Sequence, residues 1–134
     1  FTQRVIEAVN SLSGSAIKWP DARTREAIAK RIGLVSFFQN VVGLIDGTVF
    51  KFAVKPRSCG SDYYCRKNIY GTAALIICDD KTRITFAHLG FSAASHDMRV
   101  FNNSDLNSKS DVMFSQGPQQ YLLGDSAYTP LAQY

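Results

Sequence analysis

Leu44-Ile45-Asp46-Gly47-Thr48 is the stretch of sequence that decides the fold, because it places one carboxylate inside a segment with the alternation of a β-strand. The alternation over residues 43–54 predicts that Asp46 lies on an apolar face together with Leu44 and Phe50. An ionised carboxylate that is buried without a partner is strongly unfavourable, so such a group is paired, hydrogen-bonded, protonated or bound to a cation. The stretch therefore predicts a strand that carries a functional acid.

A second acid-centred segment, Tyr121-Leu122-Leu123-Gly124-Asp125-Ser126-Ala127-Tyr128, repeats this pattern near the end of the sequence. Residues 120–124 are nearly all apolar, which is typical of a short central strand in a parallel position. Two such acids in one small domain favour a metal site shared by Asp46 and Asp125. The alternative, in which each acid only caps a turn or pairs inside the core, stays open on these observations alone.

The residues between the two acids predict an α/β fold. Residues 72–78 and 83–91 predict two strands that form an antiparallel meander with the first strand. Residues 95–106 predict a crossover helix, and a right-handed crossover would bring the fourth strand parallel to the first. This mixed sheet has an RNase H-like layout, and it would make Asp46 and Asp125 neighbours.

Residues 1–40 predict a helical segment that precedes the sheet domain of residues 41–134. The first helix spans residues 1–12, with one apolar face turned inward, and a run of serine and glycine ends it. The second helix begins after Asp21, which caps it, and stops at Gly33. Neither helix has the features of a complete helix-turn-helix DNA reader, so we assign both of them to packing.

The composition limits the classes of protein to which the chain could belong. Its 134 residues suit one domain, and 46% hydrophobic with 19% charged residues is typical of a globular protein without a membrane span. The three cysteines, Cys59, Cys65 and Cys78, are odd in number and lack paired spacing, which argues against a disulfide framework and a zinc module. A reducing compartment fits this cysteine usage.

The charge of the chain is unevenly distributed. The net charge is +4, and all but two of the 15 Lys and Arg residues lie within residues 1–90. The densest basic segment can contact phosphates, and a tyrosine within it can stack on an unpaired base. An ordinary solvated loop is the alternative interpretation. The candidate nucleic-acid-binding residues are Lys51, Lys55, Arg57, Tyr64, Arg66 and Lys67.

Five blocks of this chain resemble, in order and spacing, the PIF/Harbinger transposases and the nucleases derived from them, over most of residues 17–130. The blocks are Ile17-Lys18-Trp19-Pro20, Val42-Gly43-Leu44-Ile45-Asp46-Gly47-Thr48, Tyr63-Tyr64-Cys65-Arg66-Lys67, Ser95-His96-Asp97-Met98-Arg99-Val100-Phe101-Asn102-Asn103-Ser104 and residues 121–128. The resemblance implies a DDE-type nuclease in which Asp46 and Asp125 match the first two catalytic acids.

The chemistry implied by this resemblance is metal-dependent cleavage of DNA. Two divalent ions can activate the attacking oxygen and stabilise the leaving oxygen of a phosphodiester, and carboxylates suit Mg²⁺ or Mn²⁺. We expect Asp46 to bridge both ions and Asp125 to bind one of them. Gly47 and Gly124 are expected to leave space for close approach of backbone or substrate.

Four further polar residues have separate expectations. His96 and Asp97 stand where a helix begins, so we expect Asp97 to cap that helix or to support the metal ligands rather than to bind metal directly. His96 is a candidate for the same supporting role. Asp79 and Asp80 fit a tight turn and are expected to be solvated.

The resemblance also implies a third acid, a glutamate on a later helix, and no acidic residue follows Asp125 in these 134 residues. We therefore expect a fragment that is incomplete at its C-terminus and a poor nuclease by itself. The runner-up is a domesticated or decayed copy that binds DNA or a protein without cutting, and an unrelated RNase H-like nuclease is a third possibility. A nuclear location, with or without a cytoplasmic pool, and a separate DNA-binding protein partner are further expectations, whereas the oligomeric state stays open.

Overall fold

Four strands form one mixed sheet in the computed structural model, which describes residues 1–114 and 119–128. Two helices precede the sheet, and three short helices connect its third strand to its fourth. In chain order the elements are α1 (Thr2–Ala16), α2 (Ala22–Val35), β1 (Val41–Lys51), a 3-10 helix (Gly60–Tyr63), β2 (Gly71–Cys78), β3 (Ile84–Ser92), α3 (Asp97–Asn102), α4 (Asp105–Ser108), α5 (Ser110–Met113) and β4 (Tyr121–Leu123).

The strand order in the sheet is β3-β2-β1-β4. Strand β2 pairs antiparallel with both β1 and β3, whereas β4 pairs parallel with β1. The antiparallel meander and the parallel fourth strand predicted from the sequence are therefore confirmed, and the architecture is consistent with an RNase H-like fold. The boundary predicted at residue 40 stays a prediction.

The main core lies on one face of the sheet. Ile45, Leu75 and Ile77 of β1 and β2 are buried there against Val100 and Phe101 of α3. A second cluster, formed by Ile28 and Ile32 of α2 with Val41, covers the other face only near the start of β1 and at β4. These two clusters leave much of the second face of β1 uncovered among the described residues.

The face of β1 that carries Asp46 is exposed, whereas the sequence predicted that this face would be buried. Leu44 and Phe50 are about half exposed, with 48% and 50% of their surfaces accessible, and Asp46 beside them is also exposed. The alternation itself is correct, but α3 packs against the face of Ile45 instead. Asp46 is therefore not a buried charge, and the free-energy cost of burying an unpaired carboxylate does not apply to it.

The first helix is longer and less packed than predicted. Helix α1 continues through the serine-rich run to Ala16 and has no buried residue, so its assignment to packing is wrong within the described part of the chain. Three serines in that run donate their hydroxyl hydrogens to carbonyl oxygens three residues earlier, at 2.7–2.8 Å, which lets them sit inside the helix. The sequence contained these donors but did not indicate that they would be used in this way.

The second helix agrees better with its prediction. Asp21 caps α2 by accepting a hydrogen bond from the backbone N–H of Thr24 at 2.8 Å, as expected. The helix continues past Gly33 to Val35, two residues beyond the predicted stop. Its packing role is confirmed by Ile28 and Ile32, which are buried.

The predicted crossover helix is divided into three short helices. Asn103 and Ser104 interrupt it, since Asn103 donates from its side chain to Arg99 O and Ser104 donates from its hydroxyl to Phe101 O. Such local bonds compete with the regular helical ladder. Residue Ser104 is almost fully buried, which shows that the interruption belongs to the core.

The turn between β2 and β3 forms where it was predicted, but its two acids are not solvated as expected. Asp79 is 2% exposed, and its carboxylate accepts hydrogen bonds from the backbone N–H groups of Lys81 and Arg83 at 2.9 Å and from the Arg83 guanidinium. Asp80 forms an ion pair with Arg31 of α2 at 2.6 Å. The two acids therefore fasten the turn and α2 to the sheet instead of pointing into water.

None of the helices among residues 1–114 and 119–128 is long and apolar enough to cross a membrane. Cys59, Cys65 and Cys78 are free thiols.

We predict that Asp79→Asn lowers the free energy of unfolding by about 2 kcal/mol at pH 7, because hydrogen bonds to a charged group contribute about that much. Burial alone raises the pKa of Asp79, but the hydrogen bonds from Arg83 and Lys81 outweigh it and hold the pKa below its ordinary value. The stabilisation is thus present above the ordinary Asp pKa of about 3.9 and is lost as the pH falls through the lowered value.

Urea unfolding of the wild type and the variant between pH 7 and pH 2 measures this contribution. Glu7→Gln, on the exposed helix α1, is the matched control and should change stability by less than about 0.5 kcal/mol. An equal loss in both variants, or a difference that is the same at both ends of the pH range, would contradict the prediction.

Candidate active site

The two predicted acids lie side by side on adjacent parallel strands, Asp46 in the middle of β1 and Asp125 two residues beyond the end of β4. Leu44 of β1 pairs with Leu123 of β4, and each acid follows its paired leucine by two residues. The register continues past the last paired residue, because a Cβ added to Gly124 would lie 2.9 Å from Cγ2 of Ile45. Neighbouring strands lie about 4.8 Å apart, so Asp46 and Asp125 occupy the same level on adjacent strands.

Both carboxylates are exposed and are oriented by backbone N–H groups. One oxygen of Asp46 accepts from the N–H of Gly47 at 2.8 Å, and one oxygen of Asp125 accepts from the N–H of Ala127 at 2.9 Å. The second oxygen of each carboxylate accepts no hydrogen bond from the described residues. The local turns therefore fix each acid while leaving it one free oxygen.

A third carboxylate, that of Asp97, lies within electrostatic range of the other two. It stands at the start of α3 directly over Gly47, where a Cβ on that glycine would collide with the Asp97 side chain. Burial raises the pKa of Asp97 above its ordinary value, and the charges of Asp125 and Asp46 raise it further. The nearby charges of His96 and Lys67 act in the opposite direction.

The expected capping role of Asp97 is not observed. The N-cap of α3 is His96, and neither a hydrogen bond from the His96 side chain nor one to the Asp97 carboxylate caps this helix in the described structure. Asp97 is instead the first residue of the helix, and its carboxylate points at β1. Its predicted role in supporting metal ligands remains a prediction.

Tyr128 is the residue of the site that the sequence interpretation missed. Its hydroxyl oxygen is buried and has no hydrogen-bond partner among the described residues. Burial raises the pKa of Tyr128 far above its usual range, and the charges of Asp97, Asp46 and Asp125 raise it further. The hydroxyl therefore stays protonated next to three acids, and only its place three residues after Asp125 could have drawn attention to it.

The two glycines next to the acids, Gly47 and Gly124, leave space that other side chains of the protein occupy. Gly124 gives room to the ring of Tyr128, which would lie 2.8 Å from an added Cβ and which packs edge-on against Phe101 with ring centroids 6.3 Å apart. Gly47 gives the same room to Asp97. Close approach of backbone or substrate to these glycines stays a prediction, and within the described structure the side chains of Tyr128 and Asp97 lie there.

The basic candidates divide into two groups. Tyr64, Arg66 and Lys67 line a cleft that also contains Asp97 and His96. Lys55 lies over the ring of Tyr70, 5.6 Å from its centroid, and is not among the residues of the cleft; nor are Lys51 and Arg57, which are exposed elsewhere on the same segment. The structure therefore brings only part of the predicted DNA surface next to the acids.

Within residues 1–114 and 119–128, no group of three or more His, Cys, Asp or Glu side chains is close enough together to hold a metal ion. The free oxygens of Asp46 and Asp125 are nevertheless hard donors of the kind that Mg²⁺ prefers. Mg²⁺ is usually held by one or two carboxylates, with water and substrate phosphates completing its coordination. The carboxylates of Asp46 and Asp125 match this number of protein ligands.

Comparison with models of known protein families identifies a match that covers most of the sheet domain. A family model described as DDE superfamily endonuclease matches residues 45–134, which is about two thirds of the chain and includes Asp46, Asp97, Asp125 and Tyr128. No curated protein and no solved structure matches the chain.

We predict that Asp97→Asn raises the free energy of unfolding at pH 7 in the absence of divalent metal. The pKa of Asp97 is raised in the folded state, so charging this group costs stability above that pKa, and the cost disappears below the ordinary Asp pKa of about 3.9. The gain should therefore shrink as the pH falls toward 3. Asp105→Asn, which removes an attractive pair with Lys109, is the control that should give no gain.

We also predict that Tyr128→Phe does not destabilise the metal-free protein and stabilises it by up to about 1 kcal/mol. A buried hydroxyl without a partner carries a desolvation cost that phenylalanine avoids while keeping the ring in place. Tyr64→Phe is the matched control, since it loses a hydrogen bond to Asn68 and should give no gain. Chemical unfolding in EDTA distinguishes the two, and a loss above 1 kcal/mol in Tyr128→Phe would show that its hydroxyl is already satisfied.

Proposed function

Since the chain belongs to the DDE superfamily endonucleases, we propose that it carries two acids of a metal-dependent site for DNA cleavage, Asp46 and Asp125. In an active transposase of the PIF/Harbinger type, which the sequence blocks resemble, such a site would also join the freed 3′-hydroxyl to target DNA. A nuclear location and a separate DNA-binding protein partner belong to the same proposal.

The observation that carries this proposal is the parallel register of β1 and β4. It aligns the two acids across neighbouring strands although 78 positions separate them in the sequence. Strand β4 ends just before Asp125, whereas Asp46 lies within β1, so the two acids are level with each other on neighbouring strands. This side-by-side position supports a shared site.

Divalent ions bound there would supply an activated water or hydroxyl and would stabilise the leaving oxygen of the phosphodiester. Asp46 and Asp125 would hold Mg²⁺ or Mn²⁺ through the carboxylate oxygens that the backbone leaves free. A bound cation would also relieve the repulsion that raises the pKa of Asp97. The buried hydroxyl of Tyr128 is a protonated donor that could orient a carboxylate or a water within this group.

The basic residues beside the acids fit a DNA substrate. Arg66 and Lys67 are exposed and lie in the same cleft as Asp97, so they can pair with phosphates next to the cleaved bond. Lys51, Lys55 and Arg57 would extend the contact along the backbone of the DNA. Each such contact adds salt-dependent affinity without sequence preference.

A second function, binding of DNA or protein without cleavage, is supported by a specific observation. The described residues provide no group of three metal ligands, and two carboxylates alone would bind divalent ions weakly. A domesticated copy of the family would keep the basic cleft and lose metal-dependent chemistry. Metal binding therefore discriminates between the two proposals.

We predict that the chain binds Mg²⁺ or Mn²⁺ and that Asp46→Asn weakens this binding at least about tenfold, because a neutral amide replaces a charged ligand. Asp125→Asn should have a similar effect, while Asp62→Asn, which removes an exposed acid in the basic segment, should have none. Calorimetric titration of the folded chain measures all three. Unchanged affinity in Asp46→Asn would remove the proposed site and favour the non-catalytic function.

A further inference from the structure

A cleft of about 590 Å³ opens beside the acids, between the segment that carries Tyr64 and Arg66 and the segment that leads into α3. Its floor consists of small or apolar side chains, among them Val49 and Ala73 from the sheet, Ala93 from the second segment and Met98 from the first turn of α3. This volume falls within the range of pockets that hold a small organic ligand. The cleft is therefore large enough for more than solvent.

Two residues that line the cleft, one from each segment, contact each other. The guanidinium nitrogen Nη2 of Arg66 lies 3.0 Å from Nδ1 of His96, so this ring nitrogen accepts a hydrogen bond from the arginine. The contact ties the two segments together above the apolar floor. Asp97 and Ala127 line the end of the cleft that faces the acids.

One wall of the cleft is a fixed aromatic ring. Tyr64 is 44% exposed, its ring packs against Tyr70 at a centroid distance of 5.0 Å, and its hydroxyl donates to Asn68 at 3.1 Å. The neighbouring Tyr63 packs against Phe52 instead and is not among the residues of the cleft. The structure thus separates two adjacent tyrosines that the sequence could not distinguish.

The charge of the cleft suits an anionic ligand with an apolar part. Arg66 and Lys67 are exposed and form no ion pair within the described residues, and Asp97 is the single carboxylate among the residues of the cleft. Cationic groups above an apolar floor and next to an aromatic ring combine the elements that bind the phosphate and the base of single-stranded nucleic acid.

We propose that this cleft binds one unpaired nucleotide of the DNA next to the cleaved phosphodiester. Its base would stack on Tyr64 above the apolar floor, and its phosphate would contact Arg66 and Lys67. A base that is paired inside a duplex cannot enter such a cleft, so the nucleotide must leave the stack. The inference rests on the proposed function, since it assigns a conformation to the DNA substrate of that same site.

Binding of two labelled DNA duplexes to the chain tests this inference. They share one sequence and differ in a single bulged 2-aminopurine nucleotide, and they are compared by fluorescence anisotropy in Mg²⁺ at one salt concentration. We expect the bulged duplex to bind at least about fivefold more tightly than the fully paired duplex, since stacking of one base on an aromatic ring contributes a factor of that size. The fluorescence of 2-aminopurine should also be quenched on binding, because its base would stack on Tyr64.

Four variants identify the cleft as the origin of this preference. Tyr64→Leu should abolish both the preference and the quenching, whereas Tyr64→Phe keeps the ring and should retain them. Tyr63→Leu is the matched control at the adjacent tyrosine and should also retain the preference. Ala94→Trp fills the cleft from an exposed position and should act like Tyr64→Leu, which keeps the test decisive if one variant fails to fold.

The outcomes separate this inference from the proposed function. Equal binding of both duplexes by the wild type, or an unchanged preference in both Tyr64→Leu and Ala94→Trp, would overturn the nucleotide site while DNA binding itself stands. Binding of neither duplex would overturn the DNA substrate of the proposed function and the nucleotide site together.

Discussion

The parallel pairing of β4 with β1 is the constraint on which the candidate site depends. Only three residues of β4 belong to the strand, yet their register decides that Asp125 lies level with Asp46. A shift by one residue would turn Asp125 to the other face, because side chains alternate along a strand. The pairing is supported from both sides, by Leu122 against the main core and by Leu123 against α2.

The same pairing creates an electrostatic cost that the protein does not relieve by itself. Three carboxylates interact electrostatically, and the most buried of them, Asp97, has a raised pKa because of burial and the charges of Asp125 and Asp46. A buried hydroxyl without a partner lies among them. Such arrangements are typical of sites where a ligand supplies the missing charge and hydrogen bonds, and structural networks seldom leave both kinds of group unsatisfied.

Much of the fold could be predicted from local patterns, whereas burial could not. The meander, the cap at Asp21 and the parallel fourth strand follow from alternation, capping chemistry and apolar composition, which are properties of neighbouring residues. The exposure of α1 and of the Asp46 face depends on which elements pack where, and alternation assigns residues to two faces without saying which one is covered. Asp79 was misjudged for the same reason, because a turn residue is buried only when other elements enclose it.

By itself, the sequence determined that Asp46 lies within an apolar strand, that Asp125 follows another, and that basic residues come after the first acid. Only the tertiary structure decided that Asp97 and Tyr128 join these acids and that Tyr64, not Tyr63, faces the cleft. The reason is that packing of α3 on the sheet places Asp97 over Gly47, 50 positions earlier in the chain, and that the pairing of β4 with β1 brings Gly124 and Tyr128 beside Ile45. A glycine signals open space, but which side chain fills that space is decided by the packing of distant elements.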